Sequence, residues 1–199
     1  GILPPDLDYK KVCTLPETLQ KDDFDWTGKT PATSGLSPEH LIKLARFYYN
    51  GNGKIAPDYK LSGEIVDYLL QQTGPIRNEA LFLRYDMLLK GNAFPQNTNM
   101  AKEILDELIK NNDAKAHTRY GDLYVEEANY VKAVEHYKKA FMGGEPTASM
   151  ALAYLYHDKK VPATQEEIDS MIIQAQDAAM QYLVRGNCHA LSLFGLMYG

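Results

Sequence analysis

Apolar residues recur at steps of three and four along the chain from Ser37 onwards, which is the spacing of one face of an α-helix. The stretch SPEHLIKLARFYYNG shows this pattern together with its boundary signals. Ser37 is a suitable N-cap, Pro38 suits the first helical position, and Gly51 suits the end of the helix. We find no convincing hairpin and no alternating strand pattern, so the chain predicts an all-α fold.

Residues 1–36 differ from the rest because prolines break any long helix there and the segment KDDFDWTGKTPATSG is acidic and rich in turn formers. We predict an irregular N-terminal arm over residues 1–36, anchored on the first helices by Phe24 and Trp26. A flexible tail and a partner-binding peptide are the alternatives. Residues 37–199 form the second predicted region.

A short motif recurs in the helical region: an apolar residue, a small residue, two variable positions and a large residue. It occurs as LARFY at 44–48, LRYDM at 83–87, YGDLY at 120–124, LAYLY at 152–156 and FGLMY at 194–198. Arg84 stands at the small position of the second copy, which puts close helix packing there in doubt. Self-similarity at a period of roughly 20–50 residues indicates stacked structural repeats.

A second motif follows each of the first four copies, and its four segments align without a gap at 62–74, 100–112, 132–144 and 174–186. The second position is always small, and the last is a residue that readily takes the left-handed conformation ending a helix. These positions are Gly63, Ala101, Ala133 and Ala175, and Gly74, Asn112, Gly144 and Gly186. Each unit is therefore predicted to be a helix pair that buries its apolar face by stacking on its neighbours.

These residues resemble Sel-one-like repeats, which are relatives of tetratricopeptide repeats. The stretches LARFYYNGNGKIAPDYK, YGDLYVEEANYVKAVEHYKKAFMGG and FGLMYG carry the likeness, which spans about residues 38–199. Gly51, Gly53 and Asp58 match the family's loop, the third copy lacks that insert, and the longer fourth insert predicts an extra turn of helix. The resemblance implies a right-handed α-solenoid of about four and a half helix-pair repeats.

Composition narrows the class of partner. The 199 residues include 21 basic and 26 acidic side chains, and a net charge of −5 argues against nucleic acid or anionic membrane as the main partner. No apolar run approaches the roughly 20 residues of a membrane helix, so we expect no membrane insertion. No signal peptide is visible. Cys13 and Cys188 lie near opposite ends of the sequence, and an elongated array would keep them from forming a disulfide.

A search for catalytic and metal-binding motifs favours structural explanations. The five histidines contain no pair at helical spacing, so no local zinc motif is present. Cys188 adjoins His189, but Ala190 occupies a repeat position in the same predicted helix, which favours a structural thiol. The GNG at 51–53 fits a turn between helices better than a phosphate-binding loop. We expect no enzymatic activity, no cofactor and no metal.

The stretch YVKAVEHYKKAF mixes basic and aromatic residues, as nucleic-acid-binding segments do. Helical spacing instead places its apolar residues on one core face and its lysines on the other. The predicted core residues are Val131, Ala133, Val134, Tyr137, Ala140 and Phe141.

The surface of the predicted solenoid is the remaining candidate for function, because curved repeat arrays present their concave side to partners. One variable position of the first motif is expected to face outwards, together with the variable position directly before the motif, and arginine mixed with aromatic residues is typical of binding hot spots. The predicted partner-binding residues are Lys43, Arg46, Tyr85, Arg119, Asp122 and Tyr154.

These patterns predict a non-enzymatic scaffold or adaptor that binds another protein or an extended peptide. The resemblance implies a bacterial protein, periplasmic or secreted, and one alternative it suggests is an envelope scaffold in exopolysaccharide secretion or assembly. A hydrolase that uses Cys188 and His189 is the other alternative. The last segment, NCHALSLFGLMYG, is expected to form the first helix of a fifth unit over 188–198. One face of this helix would have no second helix to cover it. A truncated chain, a capping helix or a self-association surface would each account for that face.

Overall fold

The computed structural model of the protein describes residues 26–51 and 55–184, with the backbone alone for 182–184. Within these ranges the structure is all-helical and has no strand, which confirms the predicted fold class. The helices are α1 (Pro38–Asn50), α2 (Tyr59–Leu69), α3 (Pro75–Lys90), α4 (Thr98–Lys110), α5 (Lys115–Glu126), α6 (Tyr130–Met142), α7 (Ala148–His157) and α8 (Gln165–Val184). The handedness and the repeat number of the solenoid stay predictions.

Several expectations concern residues outside the described ranges. They are the anchoring role of Phe24, the loop residue Gly53, the helix stop at Gly186, the terminal helix 188–198, and the roles of the two cysteines and His189.

The described helices fall into two compact units. The first unit comprises α1–α4 within residues 26–111, and the second unit comprises α5–α8 within residues 112–184. Within each unit, consecutive helices pack as pairs, α1 with α2 and α3 with α4, then α5 with α6 and α7 with α8. Each pair also contacts the other pair of its own unit. This is the helix pairing that the two repeated motifs predict.

The core of the first unit is built from aliphatic and aromatic residues of α1, α2 and α3. Leu44 and Ala45 of α1 pack with Ile65 and Leu69 of α2, and all four are fully buried. Trp26 packs against this cluster, with its ring edge-on to Tyr48 at a centroid separation of 6.5 Å. Trp26 therefore packs on the first helices, as predicted for this residue, while residues 1–25 of the predicted arm lie outside the described ranges.

Most helix ends follow the predicted boundary signals. Ser37 caps α1 by accepting a hydrogen bond from the backbone N–H of His40, and the helix ends at Gly51 as predicted. Asn112 and Gly144 have positive φ values of 59° and 95°, the left-handed conformation expected after α4 and α6. α8 begins at Gln165, inside the long fourth insert, which thus contributes additional helical turns.

Gly74 is the exception among these signals. α2 ends at Leu69 rather than continuing to Gly74, and a turn closes there when the N–H of Gln72 donates to the Leu69 carbonyl at 3.0 Å. Gly74, with φ of 72°, is instead the N-cap of α3, directly before Pro75 in the first turn. The predicted helix stop is a helix start because Pro75 lacks an N–H and suits only a first turn.

Within the described residues, the small positions of both motifs are buried except where Arg84 occupies one, as the repeat predicts. Gly121 of α5 shows the reason: a methyl group at this position would overlap the ring of Tyr137 on α6. Arg84, the residue that departs from the pattern, is accommodated at the surface of α3. It forms an ion pair with Asp67, and its guanidinium lies 4.0 Å from the centroid of the Phe94 ring.

The predicted core face of α6 is correct except at its first member. Ala133, Tyr137 and Ala140 are buried, and the lysines of this helix are exposed. Val131 is 68% exposed, so its assignment to the core is wrong. It is the second residue of α6 and lies in the first turn of the helix.

Candidate binding site

Three of the predicted partner-binding residues lie in the first unit. Lys43 and Arg46 are exposed and three residues apart on α1, so their side chains share one face. Arg46 is engaged in an ion pair, with its Nη2 atom 2.9 Å from Oε2 of Glu79.

Tyr85 was predicted to face outwards, and this prediction is wrong. Only 2% of its surface is exposed, and it is one of the buried residues of α3. The equivalent residue of α1, Arg46, is exposed, whereas α3 buries Tyr85 together with Leu83 and Met87 on either side of it.

The other three predicted residues lie in the second unit. Tyr154 is 42% exposed on α7, and Arg119 and Asp122 are half-buried on α5. The Oδ1 atom of Asp122 accepts a hydrogen bond of 2.6 Å from the hydroxyl of Tyr137. Burial, and then the charge and hydrogen bond of Asp122, raise the pKa of Tyr137, so the hydroxyl remains a donor. Asp122 therefore holds α5 to α6.

A groove of about 330 Å³ lies on the second unit between α6, α7 and α8. Its floor is apolar and aromatic, and its rim carries charged and hydroxyl side chains. Phe141, Met142, Leu152, Tyr156 and Met171 form the apolar part, and Lys138, Thr164, Glu166, Glu167 and Ser170 form the polar part. The sequence analysis did not identify this groove, because its lining combines motif residues of α6 and α7 with residues at the start of α8, and no single segment contains the set.

Met142 gives the groove an exposed apolar edge. It is the last residue of α6, and 86% of it is exposed. A methionine side chain is flexible and polarizable, so it adapts to irregular apolar partners. Its exposed side chain extends the apolar lining of the groove towards solvent.

The rim of the groove at the start of α8 is acidic. The N–H of Thr164 donates to Oε2 of Glu167 at 2.8 Å, and the N–H of Glu167 donates to Oγ1 of Thr164 at 3.1 Å. This reciprocal pair is a capping box, and its hydrogen bonds lower the pKa of Glu167. Glu166 beside it is exposed, so the rim presents carboxylates, with Lys138 as the basic member of the lining.

A second surface feature is the ring cluster, which we define as His117, Tyr120, Tyr124 and His136. The ring of His136 on α6 lies 5.1 Å from Tyr120, 5.4 Å from Tyr124 and 5.4 Å from His117, between ring centroids. The Nδ1 atoms of His117 and His136 are 3.2 Å apart. All four side chains are half-buried.

The histidines of the ring cluster have lowered pKa values. Burial lowers the pKa of His117, and Lys139 adds to the effect. Burial also lowers the pKa of His136, followed by the effects of His117 and Lys139. Both imidazoles are therefore neutral near pH 7, where one Nδ1–H donates and the other Nδ1 accepts.

Sequence reasoning missed this pair because it searched for histidines at helical spacing within one segment. His117 and His136 are 19 residues apart and meet across a hairpin. The repeated motifs nevertheless indicate that these two histidines lie close together. His117 lies one turn before Gly121, and His136 directly precedes Tyr137, which packs on Gly121.

The described residues offer no larger constellation of metal ligands. No group of three or more His, Cys, Asp or Glu side chains within 26–51 and 55–181 is placed to hold a metal ion. Among the helices of the described chain, none is long and apolar enough to cross a membrane.

No protein-family model matches the chain, and no curated protein matches it. The resemblance to Sel-one-like repeats stays a prediction.

Proposed function

We propose that the protein is a non-enzymatic scaffold that binds another protein or a peptide, and that the groove on α6, α7 and α8 is the docking site. The observation that carries this proposal is the exposed Met142 at the edge of an apolar groove. Binding another protein through a helical array also agrees with the predicted Sel-one-like resemblance. Lys43 and Tyr154 are exposed and stay predicted contributors.

The groove favours a partner segment of a particular chemistry. Its floor of Phe141, Leu152 and Met171 suits one apolar or aromatic side chain as an anchor. The carboxylate of Glu166 on the rim, in a chain of net charge −5, favours a lysine or arginine next to that anchor. We therefore expect the partner to present an apolar residue flanked by a basic residue.

A displayed peptide library, selected on the immobilised full chain, tests this proposal. We expect the enriched peptides to share an apolar or aromatic anchor with a neighbouring basic residue. Synthetic versions are then measured by fluorescence anisotropy. Met142→Glu should weaken binding at least about tenfold, because it places a charge where the anchor is desolvated.

Val131→Glu is the matched control, since Val131 is also exposed on α6 but lies outside the groove. It should leave the affinity unchanged, and Glu166→Lys should weaken only the basic peptides. If the library yields no common sequence, or if Met142→Glu binds as well as Val131→Glu while both stay folded by circular dichroism, the docking site is wrong.

A further inference from the structure

The distance between the Nδ1 atoms of His117 and His136 is close to the distance between two nitrogen ligands of one metal ion. A tetrahedral Zn²⁺ with Zn–N bonds of about 2.0–2.1 Å holds two ligand nitrogens about 3.3–3.4 Å apart. The two Nδ1 atoms are 3.2 Å apart and face each other closely enough to share a hydrogen bond. Chelation needs the nitrogens to separate by only about 0.1–0.2 Å, and each ring has to turn so that its Nδ1 lone pair points to the ion rather than to the other ring. The hydrogen of the donating Nδ1 passes through solvent to Nε2 of the same ring, so both rings stay neutral.

The hairpin holds the two imidazoles in this arrangement. α5 and α6 are joined by only three residues, and the close approach of Gly121 to Tyr137 fixes their separation one turn away from the pair. Tyr120 and Tyr124 pack beside the ring of His136 and limit its rotation. Ligands that are already placed lose little conformational entropy on binding, which favours chelation.

The donor chemistry selects the class of ion. Neutral imidazoles suit Zn²⁺, Ni²⁺ and Cu²⁺, whereas Mg²⁺ and Ca²⁺ require oxygen ligands. Both rings are half-buried, so an ion can reach them from solvent. Lys132 and Lys139 oppose a cation, but both are exposed and therefore screened by salt, and the Lys132 ammonium lies over the Tyr124 ring, 5.4 Å from its centroid.

We propose that His117 and His136 form a two-donor binding site for a divalent transition-metal ion of the Zn²⁺, Ni²⁺ and Cu²⁺ class. Water completes the coordination sphere. The bound ion clamps α5 to α6 in place of the hydrogen bond between the rings. This inference is independent of the proposed docking groove, since the pair contributes no side chain to its lining.

Titration of the metal-free full chain with Zn²⁺ and with Ni²⁺ by calorimetry tests the site. We expect one equivalent to bind through this pair, and His117→Ala or His136→Ala to weaken that binding at least about tenfold. Loss of even an outer-shell partner of a metal site costs about that much. Cu²⁺ should bind more tightly than Ni²⁺ or Zn²⁺, and Mg²⁺ should not bind.

His157→Ala is the matched control, because His157 is an exposed histidine on α7 outside the ring cluster. It should leave the binding to the pair unchanged. A measurement without variants uses nuclear magnetic resonance of the imidazole nitrogens. Zn²⁺ should shift the ring signals of His117 and His136 at lower concentrations than those of the other three histidines.

Two results would overturn the site. One is that His117→Ala and His136→Ala bind Zn²⁺ as tightly as the parent chain. The other is that the ring signals of these two histidines stay in place while excess Zn²⁺ shifts the others. Either result would leave a hydrogen-bonded histidine pair without a metal role.

Discussion

At the scale of single residues, His117 and His136 are neutral imidazoles that share one hydrogen between facing Nδ1 atoms. Such a pair depends on pH because protonation of both rings makes both Nδ1 atoms donors and both rings positive. Lys139 and the burial of the rings act in the same direction, since both disfavour the charged form.

We predict that acid destabilises the fold through this pair. The pKa of an unfolded histidine is about 6.5 and both folded values are lower, so the unfolded chain binds more protons below that pH. The contribution is fully present above pH of about 6.5 and is lost progressively as pH falls towards the folded pKa values. Urea unfolding at a series of pH values, with a chelator present and circular dichroism as the readout, measures it.

The double variant His117→Gln, His136→Gln isolates the effect, because other groups also titrate in this range. We expect the parent chain to lose more stability than the variant between pH 7.5 and pH 5.5 (values of about one unit on either side of 6.5). Equal losses in the two proteins would show that the pair does not titrate as described.

At the scale of elements, the separation of α5 and α6 is set by Gly121 facing the ring of Tyr137. We predict that Gly121→Ala destabilises the protein by about 1–3 kcal/mol, the usual effect of overpacking a core, despite the better helix propensity of alanine. Chemical denaturation measures the change. Tyr137→Leu in the same chain should relieve part of it, because the two sites are in contact and do not act additively.

Gly63→Ala is the comparison for this variant. Gly63 is also a helical small position, but its added methyl carbon would meet the Ala93 Cβ atom at 3.3 Å, a contact that a small shift relieves. We expect a much smaller loss than at Gly121. The reverse order would contradict the packing described for α5 and α6.

Individual residues show how far the sequence alone reaches. Ser37, Ala45 and Ala133 were predictable because caps and small contact positions depend on local chemistry and on a repeated period. Tyr85 was mispredicted because α3 buries a position that α1 leaves exposed, with Tyr85 buried as well as Leu83 and Met87. Contacts such as this depend on which face each helix buries, which no single motif records.

The two candidate sites were missed for a related reason. The groove takes its lining from three helices, and the histidine pair joins residues on two. Spacing along one segment does not reveal such groups. These sites can be identified only when the packing of the helices against one another is known.

At the scale of the whole molecule, the described chain forms two compact units, and the first unit has a core of its own. We predict that Leu44→Ala, which empties part of a fully buried site, costs about 2–5 kcal/mol. Its effect on amide hydrogen exchange should be larger in α1–α4 than in α5–α8, because repeat arrays open in local units.

Lys43→Ala is the neighbouring control, and this exposed change should alter stability by no more than about 0.5 kcal/mol. Uniform acceleration of exchange across all eight helices of the described chain would instead indicate a single cooperative unit.

The packing of Trp26 against Tyr48 also determines which part of the protein tryptophan fluorescence reports on. Trp26 is the only tryptophan among the 199 residues, and it is part of the core of the first unit. Its fluorescence emission is therefore a local reporter on residues 26–111. A loss of helical signal that leaves the emission unchanged belongs to another part of the chain, so the two optical signals together follow the units separately during unfolding.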